Sequence, residues 1–396
     1  MNIVLINQFF PPAQAPTGVL LADVAGELAR RGHAVTVIAS PAGYGAEGAA
    51  AAPEIDVIRV GSRERHRSGI AAKINDYGRF YRGVGRALAQ LKERPDVVVC
   101  MTTPPFIGLA AARLWRRRGI PYVLWCMDLY PEALVAHQLL RPQSLLLACL
   151  NRLARRERRN AARVIALGAD MARLLTESGA ARVVEIPPWS CAASSQAELA
   201  ARELRRRRGW ADEDVVLLYS GNMGRAHRAD EFAALAKRLR GQTPRCRFVF
   251  AGDGPRRAQW EQQWGEWFEF IPGVAAEERD AHLLAADVHL VSQQPDWKGI
   301  VVPSKFPAAC ALGRPVLFAG PPDSAVGNWL AQADTGWLLP PGDSSAIEAV
   351  ACELSQCAPR ERKGARAREL YNRLFTPEQN YHKMIAVITD AAGVTS

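Results

Sequence analysis

The sequence predicts an α/β protein built from two Rossmann-like domains, each with a doubly wound parallel sheet. Short apolar runs that suit buried strands alternate with longer stretches whose apolar residues recur at helical spacing. This rhythm stops in a stretch of small and polar residues near residue 195 and then starts again. The length of 396 residues also suits two domains, at roughly 150 residues each.

The first domain opens with a βαβ unit. An apolar run at 3–6 is followed by a helical pattern at 19–31 and a second apolar run at 35–38, so the two strands are predicted to be parallel. The loop between strand and helix lacks the GxGxxG fingerprint of dinucleotide-binding proteins. Gly18 lies where the strand gives way to the helix, and it is either a ligand-binding glycine or a plain helix-start glycine.

Two basic stretches of the first half are open to several interpretations. One precedes and enters a helical pattern at 74–91 that carries aromatic residues, which is typical of a nucleic-acid surface, a membrane interface or a solvated helix face. The other, at 145–159, is apolar in its first half and arginine-rich in its second, and it is either a membrane-docking helix or a core helix with a solvated tail. The arginines expected to meet anionic lipid are Arg155, Arg156, Arg158 and Arg159.

A pair of carboxylates follows the strand predicted at 122–126. Asp128 and Glu132 are four residues apart, at the carboxyl end of that strand, where ligands bind in open α/β sheets. They are candidates for a proton acceptor or for a clamp on sugar hydroxyls. The alternative for Glu132 is a first-turn helix residue beside Pro131.

A glycine-containing loop joins the first strand and helix of the second half. It holds four candidate phosphate-binding residues, namely Gly221, Asn222, Arg225 and His227. Backbone N–H groups and a guanidinium in such a loop are suited to a phosphate group. The next glycine turn, at 251–255, is predicted to be structural.

The stretch at 299–318 reads as loop, helix, turn and strand. Ser304 is the predicted N-cap, Lys305 follows it, and Gly313 is the predicted stop. A helix that begins in this way directs backbone N–H groups and an ammonium toward one point, which suits a diphosphate. The alternative is an ordinary buried crossover helix in a parallel sheet.

The positive charge of the chain is confined to its first half. The formal net charge is +10, and residues 1–187 hold 25 Lys and Arg against 15 Asp and Glu, so the remainder is neutral. We therefore expect the first domain to face a polyanion, which is a membrane surface, a nucleic acid or a phosphorylated substrate. The predicted domains are 1–187 and 188–375, with a final helix at 376–396 that crosses back to the first.

Targeting and redox features predict a cytoplasmic protein. The first residues lack the basic and apolar regions of a signal peptide, and no run reaches the roughly 18 apolar residues of a membrane span. The eight cysteines form neither a CxxC pair nor a Cys/His cluster. We expect reduced thiols and no structural zinc site.

Seven segments, taken together and in order, resemble one family of enzymes. They lie within about residues 1–345 and read QFFPPAQAPTGVLLADVAGELARRGHAVTVIAS, WCMDLYPEALVA, SGNMGRAH, FVFAGDGP, AADVHLV, VVPSKFPAACALGRPVLFAGPPDS and GWLLPPGD. The ordered set is similar to the GT-B glycosyltransferases of family 4. It is most similar to the branch that builds colanic-acid and O-antigen repeat units, the WbuB-like enzymes.

The resemblance implies two domains that face a cleft, the first for the acceptor and the membrane and the second for the donor. It implies transfer of a sugar, with retention at the anomeric carbon, from a nucleotide diphospho-sugar to a polyprenyl-diphosphate-linked glycan in exopolysaccharide or O-antigen synthesis. No metal or other cofactor is expected. The enzyme is expected to be cytoplasmic and peripheral on the inner face of the cell membrane, with an anionic membrane surface as a partner.

By position, the resemblance assigns site residues in both domains. Those implied for catalysis are Asp128, Glu132, Arg225 and Lys305. Those implied for donor binding are Gly18, Gly221, Asn222, Arg225, His227, Pro303, Ser304, Lys305, Asp323 and Ser324. The cations would stabilise the charge that builds on the leaving diphosphate. The leaving phosphate oxygen can itself take the acceptor's proton in such retaining enzymes.

The chain departs from the family pattern at the 299–318 stretch. Many members carry two glutamates separated by seven residues, where this chain has Ile300 and Ala308. The second glutamate usually holds the nucleotide ribose, so this role is expected to shift to Asp323, Ser324 or the backbone. The first domain also lacks a histidine that some relatives place after a strand, and Met-Thr-Thr stands there at 101–103.

The sequence is also compatible with other functions. A nucleotide-sugar epimerase of GT-B fold would convert the donor without an acceptor, although no added acidic cluster serves it. A non-catalytic nucleotide-sugar-binding protein would explain the missing glutamates. Nucleic-acid binding has only the basic stretches in its favour and no recognised motif, so we expect no nucleic-acid partner.

Overall fold

A computed structural model describes residues 1–13, 15–41, 54–61, 70–194 and 196–393. The chain divides into two units, one of Met1–Pro187 with Glu378–Ser396 and the other of Pro188–Pro377. Each unit contains one parallel sheet with helices packed on it, which confirms the predicted fold class. Part of the first basic stretch lies outside the described residues, namely Arg63, Arg65, His66 and Arg67.

The sheet of the first unit has seven strands among the described residues. They are β1 Asn2–Ile6, β2 Ala34–Ala39, β3 Ile55–Arg59, β4 Val97–Met101, β5 Tyr122–Trp125, β6 Arg163–Ala166 and β7 Val183–Glu185. All pairs are parallel, and the order across the sheet is β3-β2-β1-β4-β5-β6-β7. Strand order reverses between β1 and β4, where Ile3 aligns with Val97. Ligands of doubly wound sheets bind beyond the carboxyl ends of strands at such a reversal.

In the described part of this unit, six helices connect the strands. They are α1 Pro16–Arg30, α2 Ile70–Gln90, α3 Gly108–Arg118, α4 Glu132–Ala136, α5 Leu145–Arg159 and α6 Ala169–Glu177. The strands β4 and β5 are buried throughout, as continuous apolar runs covered on both faces require. Helix α5 begins at a capped end, where the Ser144 hydroxyl accepts the Leu147 N–H at 3.2 Å.

The second unit repeats this arrangement. Its elements are α7 Ala197–Arg208, β8 Val215–Ser220, α8 Asp230–Leu239, β9 Cys246–Ala251, α9 Arg257–Trp264, β10 Phe268–Ile271, α10 Arg279–Leu284, β11 Val288–Ser292, α11 Lys305–Ala311, β12 Val316–Ala319, α12 Ala325–Ala333, β13 Gly336–Leu339, α13 Ser344–Leu354 and α14 Cys357–Leu374. The six strands are parallel in the order β10-β9-β8-β11-β12-β13. The last helix, α15 Pro377–Ala391, belongs from Glu378 onward to the first unit.

The core of the second unit fixes one aromatic ring that matters for the site. Along β8, Tyr219 packs in the core on one face of the sheet and Leu218 in the core on the other. The Tyr219 ring stacks on Phe250 at 5.3 Å between centroids and meets Trp260 edge-on at 6.0 Å. Because both neighbours are buried, the ring is held rigidly at the carboxyl end of β8.

Candidate functional site

Two adjacent glycine turns form the rigid base of the site in the second unit. Gly221, Gly252 and Gly254 all have a positive φ, at 124°, 120° and 140°. A Cβ on Gly252 would lie 2.4 Å from the Gly221 carbonyl oxygen, and one on Gly254 would lie 2.5 Å from Asn222 Oδ1. Only glycine allows this approach. The turn at 251–255, predicted to be structural, therefore supports the candidate phosphate loop directly.

Lys305 places an ammonium against this loop. It is the first residue of α11, and its Nζ lies 4.6 Å from the centroid of the Tyr219 ring. Its Cε would lie 3.3 Å from a Cβ on Gly221, so the lysine side chain packs closely on this glycine. Burial lowers the pKa of Lys305 to about 8. No described residue forms a hydrogen bond or ion pair with the ammonium. The Lys305 charge therefore has no counterion in the described part of the chain.

His227 closes the same loop as a neutral ring. Its Nδ1 lies 2.8 Å from the Ser292 carbonyl oxygen, which can only accept, so Nδ1 carries the proton and Nε2 is an acceptor. Burial, reinforced by the charge of Lys305, lowers the pKa of His227 to about 3. The His227 carbonyl accepts from Arg256 and Gln294, at 3.3 and 3.2 Å. His227 therefore orders the loop and adds no positive charge to it.

The remaining polar residues beside Lys305 are mostly open to solvent. Arg225 is exposed and makes no hydrogen bond or ion pair with any residue that the structure describes. Asn222 is also exposed, whereas Pro303 is buried. Ser304 occupies the N-cap position of α11 as predicted, but its side chain makes no capping hydrogen bond and is exposed. With only seven residues in α11, the helix dipole is a weak contributor, and the side-chain cations remain.

Backbone amides contribute less to this loop than the sequence suggests. The N–H groups of Gly221, Met223 and His227 already donate to backbone carbonyls, at 2.9, 2.7 and 3.1 Å. They are not available to an anion. The expectation of a phosphate cradle made of backbone N–H groups is therefore wrong for these three positions, and Lys305 and Arg225 provide the positive charge.

In the first unit, Asp128 follows β5 at the carboxyl edge of the sheet. The N–H groups of Met127 and Asp128 donate to Thr102 Oγ1, at 3.0 and 3.2 Å. The Asp128 side chain lines a small cavity together with Thr102, Phe106 and Tyr130. Burial raises the pKa of Asp128 from 3.8 to about 6. Its carboxylate has no hydrogen-bond partner within the described part of the chain, so it can accept from a ligand.

Glu132 forms an ion pair with a buried arginine. Arg158 donates to both Glu132 oxygens, at 2.7 and 2.9 Å, and to the Tyr130 carbonyl at 2.8 Å. The Arg158 side chain is only 4% exposed. The predicted catalytic role of Glu132 is therefore corrected to an ion pair at the first turn of α4, and Arg158 is removed from the predicted membrane-facing arginines.

Sequence reasoning missed Glu157. This residue is buried beside Arg158 and lines the same cavity as Asp128. Burial raises the pKa of Glu157 to about 7, although Arg158 and the Gly108 N–H oppose the shift. The signal was present in the sequence, because Glu157 and Arg158 follow the buried Leu147 and Ala154 at helical spacing.

Family models match both units. Residues 17–189 match the model described as glycosyl transferase 4-like domain, and residues 214–356 match the model described as glycosyl transferases group 1. The chain therefore carries two glycosyltransferase domains, a glycosyl transferase 4-like domain followed by a group 1 domain. Solved structures share the fold of this glycosyltransferase over nearly its whole length.

Three solved structures resemble the glycosyltransferase in fold. Sucrose-phosphate synthase from Thermosynechococcus elongatus has a TM-score of 0.76 at 16% identity, with 100% of both chains covered. WaaG, a glycosyltransferase involved in lipopolysaccharide biosynthesis, has a TM-score of 0.68 at 19% identity, with 98% and 100% covered. Anabaena HepE in complex with UDP-glucose has a TM-score of 0.68 at 16% identity, with 98% and 100% covered.

Two curated proteins resemble it in sequence. The probable glycosyltransferase WbjE of Pseudomonas aeruginosa is 23% identical over 367 residues, which is 90% of each chain. The putative colanic acid biosynthesis glycosyl transferase WcaI of Escherichia coli K12 is 30% identical over 162 residues, which is 39% of each chain. Membership of the WbuB-like branch stays a prediction.

The resemblance implies donor binding for three residues that make structural contacts in this glycosyltransferase. The Ser324 side chain is fully buried, accepts the Gly327 N–H at 3.2 Å and donates to the Pro321 carbonyl at 2.8 Å. Its predicted donor contact is corrected to capping of α12. Asp323 lies 2.7 Å from Lys298 in an ion pair. Gly18 is buried, and a Cβ there would lie 3.1 Å from the backbone of Phe9, so close packing favours glycine.

The positions of the two family glutamates are apolar in the structure as well. Ile300 is buried and Ala308 is partly exposed on α11. Ala308 lies one turn after Lys305, where a glutamate would be an i, i+3 neighbour of the ammonium. Among the described residues, no three His, Cys, Asp or Glu side chains are grouped so that they could hold a metal ion.

Proposed function

We propose that this glycosyltransferase moves a sugar, with retention at the anomeric carbon, from a nucleotide diphospho-sugar to a polyprenyl-diphosphate-linked glycan. The observation that carries the proposal is the partly buried Lys305 ammonium, which lies over Tyr219 and against Gly221 without a carboxylate partner. A cation that has lost water without gaining a counterion favours binding of an anion. A diphosphate is an anion of suitable size and charge.

The donor side follows from charge. As the bond between the anomeric carbon and the leaving oxygen breaks, negative charge builds on the diphosphate, and a fixed cation stabilises it most when that charge is largest. Lys305 and the exposed Arg225 provide these charges. The UDP-glucose complex of HepE, a protein of the same fold, supports a nucleotide diphospho-sugar as the donor class.

The acceptor side depends on Asp128. Its carboxylate is desolvated, unpaired among the described residues and open to a cavity, which suits a hydrogen bond from the acceptor hydroxyl. In our proposal Asp128 orients this hydroxyl, and the proton passes to the leaving phosphate oxygen. No metal ion is needed for this charge balance, because the cations are side chains.

We expect nucleotide diphospho-sugars to stabilise the protein against heat. A ligand present at about 100 times its dissociation constant adds about 2.7 kcal/mol to the stability of the state that binds it. Thermal unfolding with UDP-, GDP-, TDP- and ADP-sugars should show one base with a rise of several degrees, and the matching free nucleoside should give a smaller rise. If none of the four shifts the melting temperature, the donor assignment fails.

We propose that the start of α5 rests on an anionic membrane on the cytoplasmic side. Leu145 and Leu146 are 90% and 57% exposed there, and Leu139 nearby is 52% exposed. Arginines of the same helix, Arg155 and Arg156, are exposed as well. Exposed apolar side chains and cations on one helix are the pattern of an interfacial helix. Within the described residues, no helix is long and apolar enough to cross a membrane.

This surface is tested by vesicle sedimentation. We expect Leu145→Gln/Leu146→Gln to weaken co-sedimentation with vesicles rich in phosphatidylglycerol, because two exposed apolar side chains no longer enter the interface. The matched control is Arg206→Gln/Arg207→Gln, which removes exposed charges from α7 of the second unit. Equal sedimentation of all three proteins would remove the membrane proposal.

The names of relatives support a place in cell-surface polysaccharide synthesis. WcaI is described as a colanic acid enzyme and WaaG as a lipopolysaccharide enzyme. A second candidate, a non-catalytic nucleotide-sugar-binding protein, is favoured by the loss of both glutamates at Ile300 and Ala308. Binding of a nucleotide diphospho-sugar without transfer to any lipid-linked acceptor would favour this second candidate.

A further inference from the structure

The loop that carries Asp128 is held at two points. On one side, Thr102 Oγ1 accepts the N–H groups of Met127 and Asp128, at 3.0 and 3.2 Å. On the other side, the Arg158 guanidinium donates to the Tyr130 carbonyl at 2.8 Å. The two contacts lie on either side of Asp128 in the chain, and each comes from a different part of the first unit, the end of β4 and the end of α5.

Arg158 does more than bind one carbonyl. The same guanidinium donates to both Glu132 oxygens, at 2.7 and 2.9 Å, so it links the residues before and after Pro131. Only the planar fork of arginine presents several N–H groups in fixed directions, and a lysine ammonium at the same place cannot reproduce them. Glu132 in turn fixes the rotamer of the guanidinium.

The burial of this ion pair is costly by itself. Arg158 is 4% exposed and Glu132 is 25% exposed, so both lose most of their hydration. A buried pair of this kind is weak evidence for stability, since apolar residues of similar volume often serve as well. What apolar residues cannot supply is the bond to the Tyr130 carbonyl, and this bond sets the position of the loop.

Asp128 itself depends on these contacts. Its carboxylate has no hydrogen bond from any residue in the described ranges, so its place in the cavity is set through its backbone. A misplacement of about 1 Å of a catalytic group is enough to cost roughly a hundredfold in rate.

We propose that Thr102, Arg158 and Glu132 are positioning residues. They hold the Asp128 carboxylate where it can accept a hydrogen bond from the acceptor hydroxyl. The inference rests on the role proposed above for Asp128. It also explains why Met-Thr-Thr at 101–103 suits this chain, because the hydroxyl of Thr102 accepts the two N–H groups that begin the loop.

The test compares Arg158→Lys, Thr102→Val and the conservative Thr102→Ser. We expect Arg158→Lys and Thr102→Val to lower kcat by about 10- to 100-fold, with the dissociation constant of the donor unchanged. Thr102→Ser keeps the accepting hydroxyl and should recover most of the rate. Thermal melts identify any variant that fails to fold. If Arg158→Lys fails to fold, the comparison of Thr102→Val with Thr102→Ser decides the test.

Glu132→Gln separates positioning from catalysis. The amide oxygen can still accept from Arg158, so a positioning role predicts a loss of kcat of less than about tenfold. A loss as large as that of Asp128→Asn would mean that Glu132 acts directly on substrate, and the inference would be wrong for this residue.

A readout without substrate keeps the inference separate from the proposed function. The pKa of Asp128 can be followed by the 13C resonance of its carboxyl in wild type, Arg158→Lys and Thr102→Val. We expect it to fall toward its ordinary value in both variants, because a released loop returns the carboxylate to water. An unchanged pKa in both variants overturns the positioning role even if the enzyme transfers sugar. Absence of transfer by the wild type, with a shifted pKa in the variants, overturns only the proposed function.

Discussion

Replacing Lys305 with methionine is expected to lower kcat/KM by about a hundred- to a thousandfold, the usual loss when one fixed group that stabilises developing charge is removed. Methionine ends one atom short of the lysine ammonium, so the unbranched apolar stem beside the Tyr219 ring is kept and the charged group is removed. Without the Lys305 cation, the leaving diphosphate can still meet Arg225, but that residue is exposed to water. Steady-state kinetics with a nucleotide diphospho-sugar measures the change.

The fold of this variant should survive. The ammonium is partly desolvated without a counterion, so a neutral side chain of similar shape removes a cost of burial. We expect an unchanged or slightly higher melting temperature together with a lost thermal shift by the donor. Lys237→Met, an exposed substitution on α8 of the same unit, is the matched control and should behave like wild type. A Lys305→Met enzyme within threefold of wild type would contradict the diphosphate assignment.

The fold was predictable because its signals are local and repeated. The apolar runs that form β1, β4 and β8 are buried on both faces, and parallel strands require this. Each run is followed by a turn and an amphipathic helix, so right-handed βαβ crossovers leave few other topologies. Periodicity therefore predicted two doubly wound sheets before any side-chain contact was known.

The location of the candidate site could be predicted from the sequence better than the role of each residue in it. Lys305 and Gly221 were found because a loop between a strand and a helix is where ligands of such sheets bind. The pairing of Glu132 with Arg158 was not found, because 26 residues separate them in the chain. Ser324 was misassigned since capping and ligand binding use the same hydroxyl, and only burial separates the two.

Contacts between neighbouring loops could not be predicted from the sequence either. The need for glycine at Gly252 and Gly254 arises from the backbone at 221–223, which lies about thirty residues earlier in the sequence. A glycine turn after a strand has the same local sequence whether it binds a ligand or supports a neighbouring loop. Only the tertiary contact distinguishes the first glycine turn, against which Lys305 lies, from the second, which supports it.

Asp128→Asn is expected to lower kcat by about a hundred- to ten-thousandfold, the range for loss of a positioned group that exchanges a proton or a strong hydrogen bond. The amide keeps the shape of the carboxylate but is a weaker acceptor for the acceptor hydroxyl. Burial raises the pKa of Asp128 to about 6, so the ionised, active form is lost as pH falls through about 6. Wild-type activity should therefore decline below that pH, and the variant should lack this decline.

The same pKa predicts how the variant folds. Because the folded-state pKa of Asp128 lies above its ordinary value of 3.8, the folded protein binds the proton more tightly than the unfolded chain, and the ionised carboxylate costs stability above about pH 6. At pH 7.5, Asp128→Asn should therefore melt at or above the wild-type temperature while its activity is lost. Asp56→Asn, at an exposed site on β3, is the control that should leave both unchanged. If the variant kept most of its activity, or if its activity still declined below pH 6, another group would be the one that accepts the hydrogen bond of the acceptor hydroxyl. Loss of function with gain of stability would instead mark Asp128 as a carboxylate held in a desolvated position for catalysis.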